Sequence, residues 1–257
     1  MDIHEFDMLP RKLGWKYELI EGKPYITPAQ VVVHVSIAVE PRTEQAPCPI
    51  RPVMPEDKHA LIDGFREAFR DTVEYFGWSE PRFERSAVEC IERYFKGKHP
   101  PMTQISRLAV EEEDGTAVIG AALVIRKKQG PYLDLLFVRP RWQRHGVATA
   151  LVASVLNALH ASGERTLASA YDLANEPSRF WHRKFGFVEE PDLFLAQRYA
   201  RHAHHELRRR EKVGDLTEQE REALQKECDY WDARVEELEA IAEREGLAAV
   251  MPLIYRD

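Results

Sequence analysis

The sequence predicts a mixed α/β fold in which helices flank a central mixed β-sheet, with a short β element at the N-terminus and a helical extension at the C-terminus. The middle of the chain, about residues 50–198, alternates helical and strand patterns as layered α/β domains do. A proline-rich polar stretch over residues 39–49 precedes it, and strongly charged sequence follows it. We therefore predict four segments: a β-hairpin-like extension at 1–40, a linker at 41–48, the main domain at 49–200 and a helical extension at 201–257.

Composition and charge exclude several classes of protein. The chain has 36 Lys and Arg against 43 Asp and Glu, a net charge of -7, which offers no basic surface for a phosphate backbone. Cys48, Cys90 and Cys228 are far apart and lack metal-ligand spacing, which argues against a disulfide framework or a zinc site. There is no signal-peptide core and no apolar run long enough to cross a bilayer. We expect a soluble cytoplasmic protein without metal, nucleic acid or membrane partner.

Strand and helix patterns follow one another from residue 16 to residue 199. Residues 16–20 and 25–27 are typical of two short strands around Glu21-Gly22-Lys23, and the β-branched run at 31–39 predicts a third strand. Helical spacing then covers 55–76 and 83–96, where Leu61, Phe65, Phe69 and Phe76 are expected to form one buried stripe. The remaining elements are strands at 107–112 and 117–126 around an acidic hairpin turn at 113–116, a strand at 132–138, a helix at 147–160, a strand at 166–172, a helix at 177–185 and a closing strand at 193–199.

The C-terminal segment predicts a long helix. Thr217 and Glu220 form a capping-box pattern at its start, and Gly246 is a natural stop. Apolar residues recur between them with spacings of four and three, the seam of a helix packed on another helix: Leu224, Cys228, Trp231, Val235, Leu238 and Ala242. We favour a helix lying on its own chain over a homodimer through this helix.

Three histidines precede that helix. His202, His204 and His205 lie in a basic run, whose simplest interpretation is a solvated helix face rather than a metal site.

The most informative stretch, residues 133–151, joins a strand to a helix through a basic turn that contains glycine. The first N–H groups of a helix lack intrahelical partners and carry partial positive charge, so such a turn suits phosphate oxygens. Gly146 removes a side chain where a pyrophosphate must approach, Ala148 stays small and Arg144 adds a cation. A short Gly-x-Ala turn is weak evidence alone, because many turns contain glycine for their geometry.

Residues 143–148, Gln-Arg-His-Gly-Val-Ala, resemble the Q/R-x-x-G-x-G/A acetyl-CoA signature of the GNAT acetyltransferase superfamily and follow a strand that ends in Val-x-Pro. Residues 175–187 are similar to the family's closing segment, in which an Asn precedes a helix ending in Gly-Phe, and residues 49–52 resemble its opening strand. The resemblance covers residues 49–200 and implies a GNAT-like fold. It implies that the cofactor-binding residues are Leu136, Phe137 and Val138 for the pantetheine arm, Gln143, Arg144, His145, Gly146, Val147 and Ala148 for the pyrophosphate, and Asn175 on the other side. A helix cap is an equal interpretation of Asn175.

The resemblance further implies an N-acetyltransferase that passes the acetyl group of acetyl-CoA to a primary amine by direct attack in a ternary complex. Deprotonating an amine of pKa near 10.4 at pH 7 costs about 4.6 kcal/mol, so a base helps. Asp134 is our candidate base, although strand alternation could equally turn it to solvent or into an ion pair. Glu111, Glu112 and Glu113 are alternatives. The acceptor, a small-molecule or peptide amine, is not identified by the sequence.

The expected general acid departs from the family pattern. The family's tyrosine, four residues before Gly-Phe, is His182 here, and an unperturbed histidine is protonated in only about a quarter of molecules at pH 7. His182 is our candidate acid, with a packed histidine that has no proton role as the alternative. The missing tyrosine also leaves open a catalytically silent acyl-CoA-binding module that makes protein contacts.

A second resemblance concerns the N-terminus. Residues 17–23, followed by Thr27-Pro28 and His34, resemble the opening of the Uma2-type endonuclease family over about the first 35 residues. That family's nuclease chemistry implies an Asp and a Glu-x-Lys pair on later strands, whereas Glu21-Gly22-Lys23 lies in a predicted turn without such partners. We therefore infer no nuclease activity and expect a structural extension or a hairpin beside the acceptor cleft.

Overall fold

The computed structural model describes residues 1–43, 45–111 and 117–251, and it confirms the mixed α/β fold. The helices are α1 Ile3–Asp7, α2 Lys58–Phe69, α3 Glu80–Lys96, α4 Val147–Ala161, α5 Glu176–Phe185, α6 Leu193–Val213 and α7 Glu218–Glu245. The strands are β1 Trp15–Ile20, β2 Lys23–Pro28, β3 Val32–Ala38, β4 Ile50–Pro52, β5 Arg107–Val110, β6 Val118–Lys127, β7 Gly130–Val138, β8 Thr166–Asp172 and β9 Val188–Glu189.

The strands form two sheets. A seven-stranded sheet has the order β4-β5-β6-β7-β8-β3-β9, and β1 pairs with β2 in a separate antiparallel hairpin, as predicted. Strands β4 to β7 are antiparallel neighbours, whereas β7 and β8 are parallel. The antiparallel pairing of β5 with β6 agrees with the predicted hairpin, but its turn at 113–116 lies outside the described residues.

The chain divides into two compact units, one made of residues 1–34, 171–179 and 189–257 and the other of residues 35–170 and 180–188. The predicted segment boundaries remain a prediction. No helix in the described part of the chain is both long and apolar enough to cross a lipid bilayer.

The core of the second unit lies between the sheet and helices α2 and α3. Strand β6 is buried along almost its whole length, which explains its continuous apolar sequence, because a strand covered on both faces does not alternate. The cluster on the α2 and α3 side includes Leu61, Phe65, Phe83, Ile91, Leu108, Leu123 and Phe137. Apolar packing against α2 and α3 thus holds β7, which carries the candidate site, in position.

The predicted single helix at 55–76 is wrong. Helix α2 ends at Phe69, and short 3-10 turns lie on either side of it, at Pro55–Asp57 and Val73–Tyr75. The break occurs at Thr72, which has an extended backbone and whose hydroxyl donates to the Phe69 carbonyl at 3.0 Å. Phe76 is consequently 53% exposed and does not belong to the buried stripe.

The predicted strand at 193–199 is also wrong, because these residues begin helix α6. Asp192 caps the helix by accepting from the Leu195 amide at 2.7 Å. The buried residues follow a helical spacing of three and four: Leu193, Ala196, Ala200, Ala203 and Leu207. The short Leu-Phe-Leu alternation imitated a strand, and the helix runs through the predicted boundary at residue 200.

Helix α7 begins and ends as predicted, with a capping box between Thr217 and Glu220 and Gly246 at its C-terminus. Its apolar seam packs on α6 of the same chain, where Trp231 stacks on Tyr199 with ring centroids 4.3 Å apart. His204 contacts Asp232 at 2.8 Å across the two helices, and within the described residues no cluster suited to a metal ion occurs. Dimerisation through α7 remains a prediction.

A buried polar link joins α3 to the sheet and leads to a stability prediction. The Tyr94 hydroxyl donates to Ser106 Oγ at 2.8 Å, and Ser106 Oγ accepts from the Val124 amide at 2.8 Å. We expect Tyr94→Phe to lower the free energy of unfolding by about 1 kcal/mol, measured by chemical denaturation near neutral pH. The exposed Tyr230→Phe should leave it unchanged.

The same pair of variants tests a pH dependence. Burial raises the pKa of Tyr94 to about 12, whereas an unfolded tyrosine titrates at about 10. The phenol therefore stabilises the fold below pH about 10, and this contribution is lost as the pH rises towards about 12. Between pH about 10 and about 12, the free energy of unfolding should fall more steeply for the wild type than for Tyr94→Phe. An equal dependence on pH in both proteins would contradict a raised pKa of Tyr94.

Candidate functional site

Strand β7 carries a bulge at Asp134. Leu123 pairs with Leu135 and Val124 pairs with Leu133, so Asp134 is the extra residue on β7. A bulge redirects a side chain that regular alternation would place elsewhere. Asp134 is only partly exposed, and its charge acts on groups around it. Burial raises the pKa of the Cys90 thiol, and the charge of Asp134 adds to this rise.

A lysine lies near the same carboxylate. The Lys127 ammonium is 3.1 Å from the centroid of the Tyr132 ring. Burial lowers the pKa of Lys127 to about 8, and the charge of Asp134 opposes that shift. Asp134 therefore has the Lys127 ammonium in its surroundings, which was not visible in the sequence.

Beyond the bulge, β7 separates from β8. The parallel pairing consists of Tyr132 with Ala168 and Leu133 with Ser169, whereas β7 continues to Val138. Leu136, Phe137 and Val138 pair with β6 on one side, and the described residues show no ladder to β8 on the other. An extended ligand can hydrogen-bond to such a strand edge as an added strand would.

The turn after β7 ends at the start of α4. Arg144 and Gly146 both have left-handed backbones, with φ of 63° and 82°. Gly146 is the N-cap residue of α4 and no side chain caps the helix, so the amides of Val147 and Ala148 begin the helix without intrahelical acceptors. A Cβ at Gly146 would meet nothing within 4 Å. The glycine therefore serves the backbone conformation and leaves open space before the helix.

Polar groups of the turn hold its shape and supply positive charge. Gln143 Nε2 donates to the Val138 carbonyl at 3.0 Å, which ties the turn to the end of β7. The Gln143 carbonyl lies 2.8 Å from His145 Nδ1. Arg144 is exposed and forms no ion pair with any described residue. Open amides, a helix dipole and an unpaired arginine are features that favour the binding of a phosphate group.

The structure places Asn175 as a helix cap. Asn175 Oδ1 accepts from the Ser178 amide at 3.0 Å at the start of α5, which confirms the capping interpretation. Its contact with a cofactor remains a prediction.

His182 lies near the C-terminus of α5 and is only 4% exposed. Its ring is edge-on to those of Trp181 and Phe187, with centroids 5.0 Å away in each case. Trp181 Nε1 donates to Thr149 Oγ1 in the first turn of α4 at 3.4 Å. This bond, which sequence reasoning missed, holds the His182 segment beside the start of α4. The proton role of His182 remains a prediction.

The alternative bases are less suited to the role. Glu111 forms an ion pair with Arg141, which occupies its carboxylate. Glu112 and Glu113 lie outside the described residues. Asp134, on the bulge beside the separated strands, is the candidate that the geometry favours.

Comparison with known proteins identifies this arrangement. Residues 62–187 match the model of the acetyltransferase (GNAT) family. These residues form a GNAT acetyltransferase domain. The GNAT domain contains the β7 bulge, the turn, α4 and α5, and it ends at Phe187. Helices α6 and α7 and the N-terminal hairpin lie outside the matched region.

Solved structures with a similar fold include three named acetyltransferases. A GCN5-related N-acetyltransferase from Sphaerobacter thermophilus has a TM-score of 0.47 and 21% identity, over 62% of this chain and 48% of that one. The PaiA N-acetyltransferase from Thermoplasma acidophilum, in complex with coenzyme A, has a TM-score of 0.46 and 19% identity, over 56% of this chain and 92% of that one. The ribosomal-protein-S18-alanine N-acetyltransferase from Escherichia coli has a TM-score of 0.41 and 18% identity, over 56% of this chain and 79% of that one. The chain thus spans about half the length of the first structure. No curated protein matches it.

Proposed function

We propose that the chain is an N-acetyltransferase that uses acetyl-CoA to acetylate a primary amine by direct attack in a ternary complex. The observation that carries the proposal is the uncapped start of α4 at Gly146, which a turn connects to a strand that has separated from its parallel neighbour. The GNAT family match over residues 62–187 supports it.

The residues present fit coenzyme A. Arg144 and the amides of Val147 and Ala148 would bind the pyrophosphate, with the remaining turn residues Gln143, His145 and Gly146 shaping the approach. The backbone edge of Leu136, Phe137 and Val138 would bind the pantetheine arm as an added strand. The cofactor supplies an acetyl group activated as a thioester.

Asp134 would act as the general base. The Asp134 carboxylate would accept the proton that the amine nitrogen loses as this nitrogen bonds to the acetyl carbon and the carbon–sulfur bond breaks. His182 would donate the proton that the departing thiolate takes up.

The role of His182 can be tested by its effect on pH dependence. If His182 donates a proton, His182→Phe should lower kcat by about a hundredfold and should remove the loss of activity at high pH that deprotonation of an acid causes. Binding of coenzyme A, measured by calorimetry, should be unchanged. An unaltered kcat and pH profile would show that His182 only packs. His160→Phe, at the exposed end of α4, is the matched control.

The function itself is tested by turnover. Purified protein is incubated with acetyl-CoA and a panel of polyamines, amino acids, aminoglycosides and peptides, while thiol release and acceptor mass are measured. We expect acceptor-dependent thiol release with an acceptor mass increased by one acetyl group. Tight coenzyme A binding without turnover on any acceptor would instead support the catalytically silent acyl-CoA-binding module, which the histidine at position 182 favours.

A further inference from the structure

A cleft lies in the compact unit that contains helix α6. It has a volume of about 390 Å³ and lies between the segment at 30–34 and the N-terminal half of α6. Its lining includes Gln30, Val31, His34, Phe194, Arg198 and Arg201. All of these residues belong to the unit formed by 1–34, 171–179 and 189–257.

Both walls of this cleft are held in place. On one wall, the Val31 carbonyl accepts from the Leu173 amide at 2.8 Å and the His34 carbonyl accepts from the Glu190 amide at 3.0 Å. On the other wall, the Asp192 cap holds the start of α6. Residues on the opposite side of this helix are buried, so the helix cannot rotate without exposing them. The cleft is therefore preformed.

Phe194, Arg198 and Arg201 share one face of α6, since they are spaced by four and three residues. Neither arginine forms an ion pair with a described residue. Arg201 Nε donates to the Gln197 carbonyl at 3.1 Å, which leaves its terminal nitrogens available. Two arginines without carboxylate partners are notable in a chain of net charge -7.

Three carboxylates line this cleft or the cavity beside it. Asp192 lines the cleft, and its Oδ1 accepts from the Leu195 amide. Arg201 also lines an adjacent cavity that contains Asp232 and Glu236, and Asp232 contacts His204 at 2.8 Å. The formal charge of the lining, counted over Arg198, Arg201 and Asp192, is therefore positive.

We propose that this cleft binds a small molecule that carries a carboxylate on an apolar or aromatic body. The planar guanidinium fork matches a carboxylate through paired hydrogen bonds. Phe194 is 59% exposed and offers a ring face to the body of the ligand, beside Val31. The volume suits a small ligand. The site is independent of acetyl transfer and goes beyond the proposed function.

The test is calorimetric titration of the full chain with benzoate, and with benzyl alcohol as a neutral molecule of similar shape. We expect saturable 1:1 binding of benzoate and none of benzyl alcohol. The double variant Arg198→Gln/Arg201→Gln should weaken benzoate binding by about tenfold or more. Arg208→Gln, an exposed arginine of the same helix outside the cleft, should have no effect.

Further outcomes separate this proposal from others. Equal benzoate binding by the double variant and Arg208→Gln, or no saturation with the wild type, would overturn it. Tighter binding of phenyl phosphate than of benzoate would overturn the choice of a carboxylate. Coenzyme A binding should be unchanged in the double variant, so failure of this site is distinguishable from failure of the proposed function. If the double variant does not fold, Phe194→Ala replaces it and should weaken binding of benzoate but not of acetate.

Discussion

Replacing Gly146 with Asp is expected to weaken coenzyme A binding by about a hundredfold, measured by calorimetry. The new carboxylate would lie at the start of α4, in the open space that a Cβ at this position enters. There it would repel the pyrophosphate and compete for the amides of Val147 and Ala148. Aspartate adopts the left-handed backbone more readily than most residues, so the helix itself should still form.

Gly163→Asp is the matched control. Gly163 follows the C-terminus of the same helix, has a φ of 80° against 82° at Gly146, and its Cβ would also meet nothing within 4 Å. The two variants should therefore carry similar backbone strain, and similar unfolding temperatures would verify this. Loss of coenzyme A binding in both, or in neither, would contradict a cofactor site at Gly146.

The second large effect is expected at Asp134. Asp134→Asn should lower kcat by between about a hundredfold and ten-thousandfold near neutral pH, because an amide cannot accept the proton of the attacking amine. Coenzyme A binding should stay the same. The defect should shrink as the pH approaches the pKa of the acceptor amine, since the neutral amine then needs no base.

Asp229 offers a matched control for the change at Asp134. Asp229→Asn, on the exposed face of α7, should leave kcat unchanged. If Asp134→Asn retains kcat but changes the unfolding temperature, the carboxylate serves Lys127 and the packing of the bulge instead of the reaction.

Local signals predicted the parts of this molecule whose geometry is set within a few residues. The capping box at Thr217, the stop at Gly246 and the start of α4 at Gly146 depend on hydrogen bonds and backbone angles inside one turn. At the start of α6 two local signals conflict: Asp192 is a capping residue, whereas the Leu-Phe-Leu alternation at 193–195 is typical of a strand.

Features that join distant segments were not predictable in this way. The bulge at Asp134 is defined by the register against β6, and the separation of β7 from β8 depends on how far their ladder extends. The bond between Trp181 and Thr149 joins residues that lie far apart in the chain. The cleft that contains Arg198 and Arg201 likewise combines two segments that are distant in the chain, residues 30–34 and α6.

The order of residues alone was sufficient for the kind of fold, the family and the start of α4 at Gly146, because periodicity, caps and the turn motif depend on short stretches of chain. Tertiary packing decided which side chains face one another: it produced the bulge at Asp134, set His182 edge-on to two aromatic rings and left Arg198 and Arg201 facing a cleft. The physical reason is that burial and electrostatic contacts depend on distance in space, which a single sequence does not specify.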